Sequence, residues 1–203
     1  MTSDPPRSGP LRIIGIDPGL NITGYGLIDF GSGGSTLAEA GVIRLPRSDG
    51  DNLPERLEAL FNEVQGLIAE FSPQQMCIEE VYSHAFYPKT SILMSHARGV
   101  ICLAAQLAGV PVASISAKRI KQSVTGNGNA SKQQVQRAVR QLFLLERTPH
   151  PPDVADALAA ALCYANSLRY GGAPPCPRRN GHHIKTGKGR RPDEPDKAGG
   201  RLE

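Results

Sequence analysis

Paired cysteines and long apolar runs are both missing from this chain, and each absence narrows what it can be. Its four cysteines, Cys77, Cys102, Cys163 and Cys176, include no CxxC pair, which argues against a paired-cysteine metal or redox motif. Three of them sit in apolar stretches and read as small buried hydrophobes of a reducing compartment. Cys176 has His182 and His183 nearby but no fourth well-spaced ligand, so a zinc site is not expected there. No stretch reaches the roughly 20 apolar residues of a membrane span. The opening "MTSDPPRSGP" lacks the apolar core of a secretory leader. The expectation is a cytoplasmic protein with no membrane partner.

A surplus of one charge is also missing, except at one end. The formal net charge is +4, and all of it lies in residues 171–203, with eight Lys/Arg against four Asp/Glu; residues 1–170 carry fifteen of each. Within that neutral body the signs are separated. Seven bases and one acid lie between Lys118 and Arg147, and eight acids and one base between Asp49 and Glu80. Such a protein can meet a polyanion on one face without being strongly basic overall.

What is present is a strand-rich start followed by α/β alternation. "LRIIGID", "ITGYGLIDF" and "STLAEAGVIRL" read as three strands joined by the turn segments "PGLN" and "GSGG", an antiparallel meander. Leu57, Leu60, Phe61, Val64, Leu67, Ile68 and Phe71 recur at the helical period. Asn52 is placed to cap that helix, Pro54 suits its first turn, and Glu55 gives a capping-box-like pattern. "QMCIEEV" is a fourth strand, 88–108 a second helix and "VASIS" a fifth strand. "AKRIKQSV" is a short helix, "TGNGNA" a flexible loop, and "SKQQVQRAVRQLFLLE" a helix opened by a Ser131–Gln134 capping box. "DVADALAAALCYANSL" is the last helix. The whole reads as an α/β domain over 11–170, with a mixed five-stranded sheet flanked by helices. Residues 1–10 are expected to be a disordered lead-in and 171–203 a disordered basic tail.

Carboxylates gather at the ends of apolar segments. Asp17 ends the first strand, Glu79 and Glu80 end the fourth, and Asp153 and Asp156 open the last helix at i and i+3, on one face. Taken singly, each has an ordinary explanation: a turn, a solvated strand end, an acid favoured by the helix dipole. If the first and fourth strands are neighbours, all converge. Clustered carboxylates repel and need a cation. All-oxygen ligands suit Mg²⁺ or Mn²⁺, and a pair of such ions about 3.5–4 Å apart can clamp a phosphodiester. Gly19 then leaves backbone room for a phosphate.

The segments "GIDPGLNITGYG", "CIEEVY", "HARGV", "KQSVTGNGNASKQQV" and "DVADALAAA", in that order, resemble the RuvC-type Holliday junction resolvases, over about residues 12–168. The resemblance implies a ribonuclease H-like fold, three antiparallel strands plus two parallel. It implies a metal-dependent homodimeric endonuclease that places paired symmetric nicks in four-way junction DNA, leaving ligatable ends, in recombination and repair. By motif position, Asp17, Glu79, Asp153 and Asp156 match the catalytic, metal-holding acids, for two Mg²⁺ or Mn²⁺ ions per site. Lys121 and Lys132 match the family's basic pair, in the basic region already noted, where Lys118 and Arg119 would also contact phosphates. The start of the helix bearing Lys132 would offer free N–H groups to a phosphate. Tyr82 matches an aromatic able to stack on a base at the branch point. The 88–108 helix is apolar around much of its circumference, which implies burial on several sides: the sheet covers one, and either a second subunit, which fits the family's dimer, or deep burial within one subunit covers another. RuvA and RuvB are partners the resemblance suggests. Two other readings are weaker. An ATP-binding fold like that of sugar kinases and actin would need a second domain, for which 203 residues leave no room. A non-catalytic nucleic-acid scaffold would have lost its acids.

Overall fold

Side chains alternate across a strand, and here that alternation decides where the chemistry lies. The computed structural model describes residues 9–45, 52–81 and 88–171. Tyr82, Cys176, His182, His183 and nearly all of the expected lead-in and tail fall outside them. The strands are β1 (Leu11–Asp17), β2 (Ile22–Gly31), β3 (Gly34–Arg44), β4 (Gln75–Glu79) and β5 (Val112–Ile115). The helices are α1 (Leu53–Phe71), α2 (Pro88–Leu107), α3 (Ala117–Thr125), α4 (Lys132–Leu142) and α5 (Pro152–Arg169).

One sheet forms, in the order β3-β2-β1-β4-β5. β2 pairs antiparallel with β1 and with β3, whereas β4 runs parallel to β1 and β5. This is the expected mixed sheet, with the first and fourth strands adjacent. Ile14, Ile16, Met76 and Ile78 face α1 and α2; Ile13 and Cys77 face α3, α4 and α5; all six are fully buried. Arg12 and Asp29, partners across β1 and β2, form a two-pronged ion pair with both contacts at 2.8 Å. The Arg12 guanidinium also donates to the Phe71 carbonyl at 3.2 Å, fastening the end of α1.

Within the single chain, the described helix encased on most sides is α5. From Val154 to Ala165 only Asp156 escapes full burial. Its backbone lies directly on the sheet because glycines make room. A Cβ on Gly15 would stand 2.0 Å from the Ala157 carbonyl oxygen, and one on its cross-strand partner Gly26 would stand 2.5 Å from Leu158 Cδ2. Further along, Tyr164 donates to Gln75 at 3.0 Å and Asn166 to Ser123 at 3.1 Å. Helix α2 buries Ala97, Ile101, Ala104 and Ala105 and leaves Ile92, Leu103 and Leu107 more than half exposed.

Three local expectations need correction. Asn52 caps α1 by position only: its amide donates to the Glu55 carboxylate, so its side-chain oxygen does not hold a helix N–H. The 126–130 loop is laced by hydrogen bonds, among them Asn127 N–H to Thr125 Oγ1 at 3.1 Å, Gly128 N–H to Gln122 Oε1 at 2.9 Å and Asn129 N–H to Asn127 Oδ1 at 2.9 Å. Helix α4 stops at Leu142, four residues short of Glu146, the end expected from its sequence. Leu144 turns left-handed (φ 53°), its N–H bonding the Gln141 carbonyl at 3.2 Å while that of Leu145 bonds Arg140 at 2.9 Å. This is the Schellman ending, normally built on glycine. Helix α2 ends the same way on Gly109 (φ 71°), with Val110 N–H to Ala105 at 2.9 Å.

Leu144 is 90% exposed, so its side chain gains little from packing. A left-handed L-residue costs roughly 1–2 kcal/mol, which glycine avoids at some entropic expense. Leu144→Gly is expected to raise unfolding free energy by about 1 kcal/mol, and Gly109→Leu to lower it, in urea titrations. Destabilisation by Leu144→Gly would contradict this account.

Candidate active site

Strand parity brings two acids to the α5 face. Asp17 follows Ile13 and Gly15 at steps of two, and Glu79 follows Cys77. β1 and β4 are parallel with Ile16 opposite Ile78, so Asp17 and Glu79 leave the sheet side by side. Helix α5 begins over the same edge, with Asp153 in its first turn and Asp156 one turn further on. All four carboxylates line one cleft of about 530 Å³, with Lys121 of α3, Lys132 of α4, and Thr90, Leu93 and Met94 of α2. Glu80 lines a different hollow, beside Arg98 and Ser114, and its N–H bonds the Ile115 carbonyl at 3.0 Å. Of the adjacent pair, Glu79 is the one in the cleft.

The electrostatics are those of crowded acids. Burial, then the charges of Asp156, Glu79 and Asp153, push the Asp17 carboxyl up to about 8. Glu79 is raised by burial and then by Asp156. Asp156 is also raised, mainly by burial, against the opposing pull of Lys132. Lys132 Nζ stands 3.4 Å from Asp156 Oδ2, and that charge holds the ammonium above its ordinary range.

The basic residues divide. Lys121 and Lys132 reach the cleft, whereas Lys118 and Arg119 are exposed on α3 outside its lining. The Lys118 stem packs close to Gly128 of the 126–130 loop. The start of α4 is less open than expected, because Ser131 accepts from the Gln134 N–H at 3.2 Å and Gln134 returns the bond to the Ser131 N–H at 2.8 Å. That capping box leaves the Lys132 and Gln133 amides as the helix's open N-terminal donors.

The turn behind Asp17 is braced from two sides. Thr23, almost wholly buried, donates to the Gly19 carbonyl at 2.6 Å and accepts from its N–H at 3.3 Å. Buried Arg56 of α1 donates to the Leu20 carbonyl at 2.9 Å and to the Asn21 side chain. Gly19 lines the cleft, but a Cβ on it would first meet the Ile22 carbonyl oxygen at 2.2 Å, so the turn itself already requires glycine. Thr23, Arg56 and the α2 wall carried no sequence signal beyond an apolar or mixed setting.

Among the described residues no three His, Cys, Asp or Glu side chains form a ready cage for one ion. The acids ring a cleft instead. That suits a hard divalent cation bound through one or two carboxylates, with waters and substrate phosphate completing its shell. The donor set is wholly oxygen, which disfavours softer metals.

The family model for the crossover junction endodeoxyribonuclease RuvC matches residues 13–164. This chain belongs to the RuvC family. It is 49% identical to RuvC of Rhodopirellula baltica over 151 residues, 74% of this chain and 84% of that one. With RuvC of Halorhodospira halophila it shares 46% over 155 residues, 76% of this chain and 90% of the relative. A Thermus thermophilus RuvC structure, solved with a Holliday junction substrate, superposes with a TM-score of 0.73 at 31% identity, covering 81% of this chain and 99% of the other. The match to the yeast mitochondrial resolvase Ydc2, with a TM-score of 0.56 at 15% identity, extends the fold alone. The RuvC fold is ribonuclease H-like, and the cleft described above lies wholly within the matched residues.

A carboxyl pushed up to about 8 opposes folding once it ionises. Its folded value lies above the unfolded one, so wild-type protein loses stability relative to Asp17→Asn as pH rises from about 4 to about 8, and no further above that. In chelator-treated protein, Asp17→Asn is expected to be more stable by roughly 2 kcal/mol at the top of this range. Urea titrations across pH check this, and a pH-independent difference would refute it.

Proposed function

We propose that this RuvC-family crossover junction endodeoxyribonuclease resolves four-way DNA junctions through the cleft ringed by Asp17, Glu79, Asp153 and Asp156. The observation that carries the proposal is the meeting of four acids, remote in sequence, with two lysines at one end of the sheet. Single functional acids are common on surfaces; four gathered around one cleft, with Asp17, Glu79 and Asp156 all raised in proton affinity by burial and neighbouring acids, are not.

The reaction is hydrolysis: water adds to phosphorus as a phosphorus–oxygen bond breaks, and the departing oxygen takes a proton. Divalent cations, Mg²⁺ or Mn²⁺ and two per site, supply charge neutralisation at the phosphate and a more acidic water. Asp17 and Glu79, fixed on adjacent strands, form the rigid side of the site, and Asp153 and Asp156 the helix side. Lys132 opposes the rise in proton affinity of the Asp156 carboxyl and holds it toward α4, and with Lys121 it receives the backbone phosphates. Leu93 and Met94 of α2 supply an apolar wall to the cleft.

Paired nicks need two such sites. The exposed stripe of Ile92, Leu103 and Leu107 on α2 supports a homodimer joined along that helix. Lys118 and Arg119, exposed beside the cleft, extend the path for DNA, and Tyr82 stacks on bases at the branch point. RuvA and RuvB deliver the junction in the cytoplasm. No helix among the described residues is long and apolar enough to cross a membrane.

A nicking assay on synthetic four-way junctions, with duplex and single-strand controls and Mg²⁺ or Mn²⁺, tests the proposal. Asp17→Asn is expected to bind junctions and cut at least about 10³-fold more slowly. Cutting at the wild-type rate would defeat the carboxylate scheme. Lys121→Ala should weaken junction binding and flatten the log-affinity against log-salt slope by about one. An unchanged slope would remove Lys121 from the phosphate path.

A further inference from the structure

Gly24 stands at an unusual place. In β2 it is the cross-strand partner of Asp17, and the missing side chain of the same residue faces Asp153. A Cβ on Gly24 would lie 2.2 Å from the Asp153 carbonyl oxygen, 2.5 Å from its carbonyl carbon and 3.0 Å from its Cβ. One residue therefore touches both sides of the cleft, paired through its backbone with one acid and in direct contact with the backbone of another.

The other two glycines in the groove under α5 differ in what they meet. Gly26 faces Leu158 Cδ2 at 2.5 Å, the far end of a side chain that can rotate away. Gly15 faces helix backbone at Ala157 and Ala161, in the body of α5 beyond the acids. Gly24 alone of the three abuts the residue that carries a cleft carboxylate, and the atoms it abuts are chiefly backbone. Backbone in a helix moves only with its turn, so pressure at Gly24 displaces Asp153 instead of being absorbed by a rotamer.

We propose that Gly24 is a positioning residue for the reaction: its lack of a side chain sets how far the helix-borne acid Asp153 stands from the strand-borne acid Asp17. A methyl group at Gly24 must retreat from 2.2 Å to ordinary contact at 3.4 Å or beyond, so the first turn of α5 lifts by about 1.2 Å. The inference rests on the proposal that Asp153 is one of the working carboxylates. A misplacement of about 1 Å in such a site costs on the order of 100-fold in rate. Junction binding is governed by the basic face of α3 and α4 and should change little.

The test uses full-length Gly24→Ala, with Gly26→Ala as the control. Gly24→Ala is expected to weaken Mn²⁺ binding by about tenfold in calorimetry and to lower kcat about 100-fold, with junction KM within about threefold of wild type. Gly26→Ala should lose stability and keep both Mn²⁺ affinity and kcat. The decisive variant is Gly24→Ala with Asp153→Glu. One added carbon–carbon bond, about 1.5 Å, returns the carboxylate toward its place and should restore kcat at least about tenfold. In the wild-type background, Asp153→Glu alone overshoots and should lower kcat at least about tenfold.

Wild-type Mn²⁺ affinity and kcat in folded Gly24→Ala would overturn the proposal. So would an Asp153→Glu effect of the same sign and size in both backgrounds, since a general loss of structure gives no such coupling. Should Gly24→Ala not fold, Asp153→Glu alone decides: a wild-type kcat would show slack where the contact allows none. Asp153→Asn separates the two layers. If that variant cuts at the wild-type rate, the assignment of Asp153 fails. If it is inert while Gly24→Ala is normal, only the positioning role fails.

Discussion

Four carboxylates on one rim repel one another, and the structure depends on a frame stiff enough to hold them there. Part of that frame is the contact between α5 and the glycines of β1 and β2. With no side chains at Gly15 and Gly24, helix backbone approaches strand backbone at a distance no alanine would permit, and Gly26 makes room for the Leu158 side chain. The helix cannot slide toward solvent without opening an apolar seam from Val154 to Ala165, nor press closer, since the strands are already in contact. A distance set by hard cores is insensitive to charge, which is what a self-repelling cluster needs.

Stability and chemistry are kept at opposite ends of the same elements. Away from the cleft, Arg12 binds Asp29 with two prongs and reaches the end of α1, while Tyr164 and Asn166 tie the later turns of α5 to Gln75 and Ser123. At the cleft, α5 opens on Pro151 without a side-chain cap, and its first turn carries Asp153. A free helix N-terminus favours an acid there through its dipole. The polar groups that would normally satisfy a helix start are displaced in favour of acids directed at the cleft. Arg56 and Thr23 serve the same division from the other side, fixing the turn that follows Asp17 without entering the reaction themselves.

Much of this was legible in the residues. The meander, the α/β alternation and the convergence of Asp17 with Glu79 follow from period-two strands and a parallel β1–β4 pair. What escaped has identifiable causes. Nothing in the α5 sequence marks it as the most encased helix of the single chain, because alanine is ambiguous on any hydrophobic scale. The end of α4 was misplaced because "LFLLE" continues an apolar pattern, and nothing local reveals that Leu144 takes the conformation usually left to glycine. The capping pattern at Asn52 was right in residue type and wrong in hydrogen bonding, because the nearby Glu55 carboxylate attracts the amide more than the helix N–H attracts its oxygen.

Gly24 shows why a site is harder to read than its acids. A carboxylate announces chemistry by its type, and its spacing can be counted. A glycine in "ITGYG" looks like strand-breaking flexibility, and its meaning lies across the sheet, in a helix more than a hundred residues later. On the proposed reading, the rim acids reach one phosphate together only if that helix rests at one height. Strand pairing fixes Asp17 and Glu79 to each other through the parallel β1–β4 register, independent of α5. The second pair depends on a packing distance instead, so the two halves of the site have different mechanical origins. Hydrogen-bond register is quantised, and a strand cannot shift by a fraction of a residue. Packing height is continuous and is set by side-chain volume. Evolution of this cleft would thus be free to adjust the helix-borne acids by small volume changes beneath α5, while the strand-borne pair stayed where the sheet holds it.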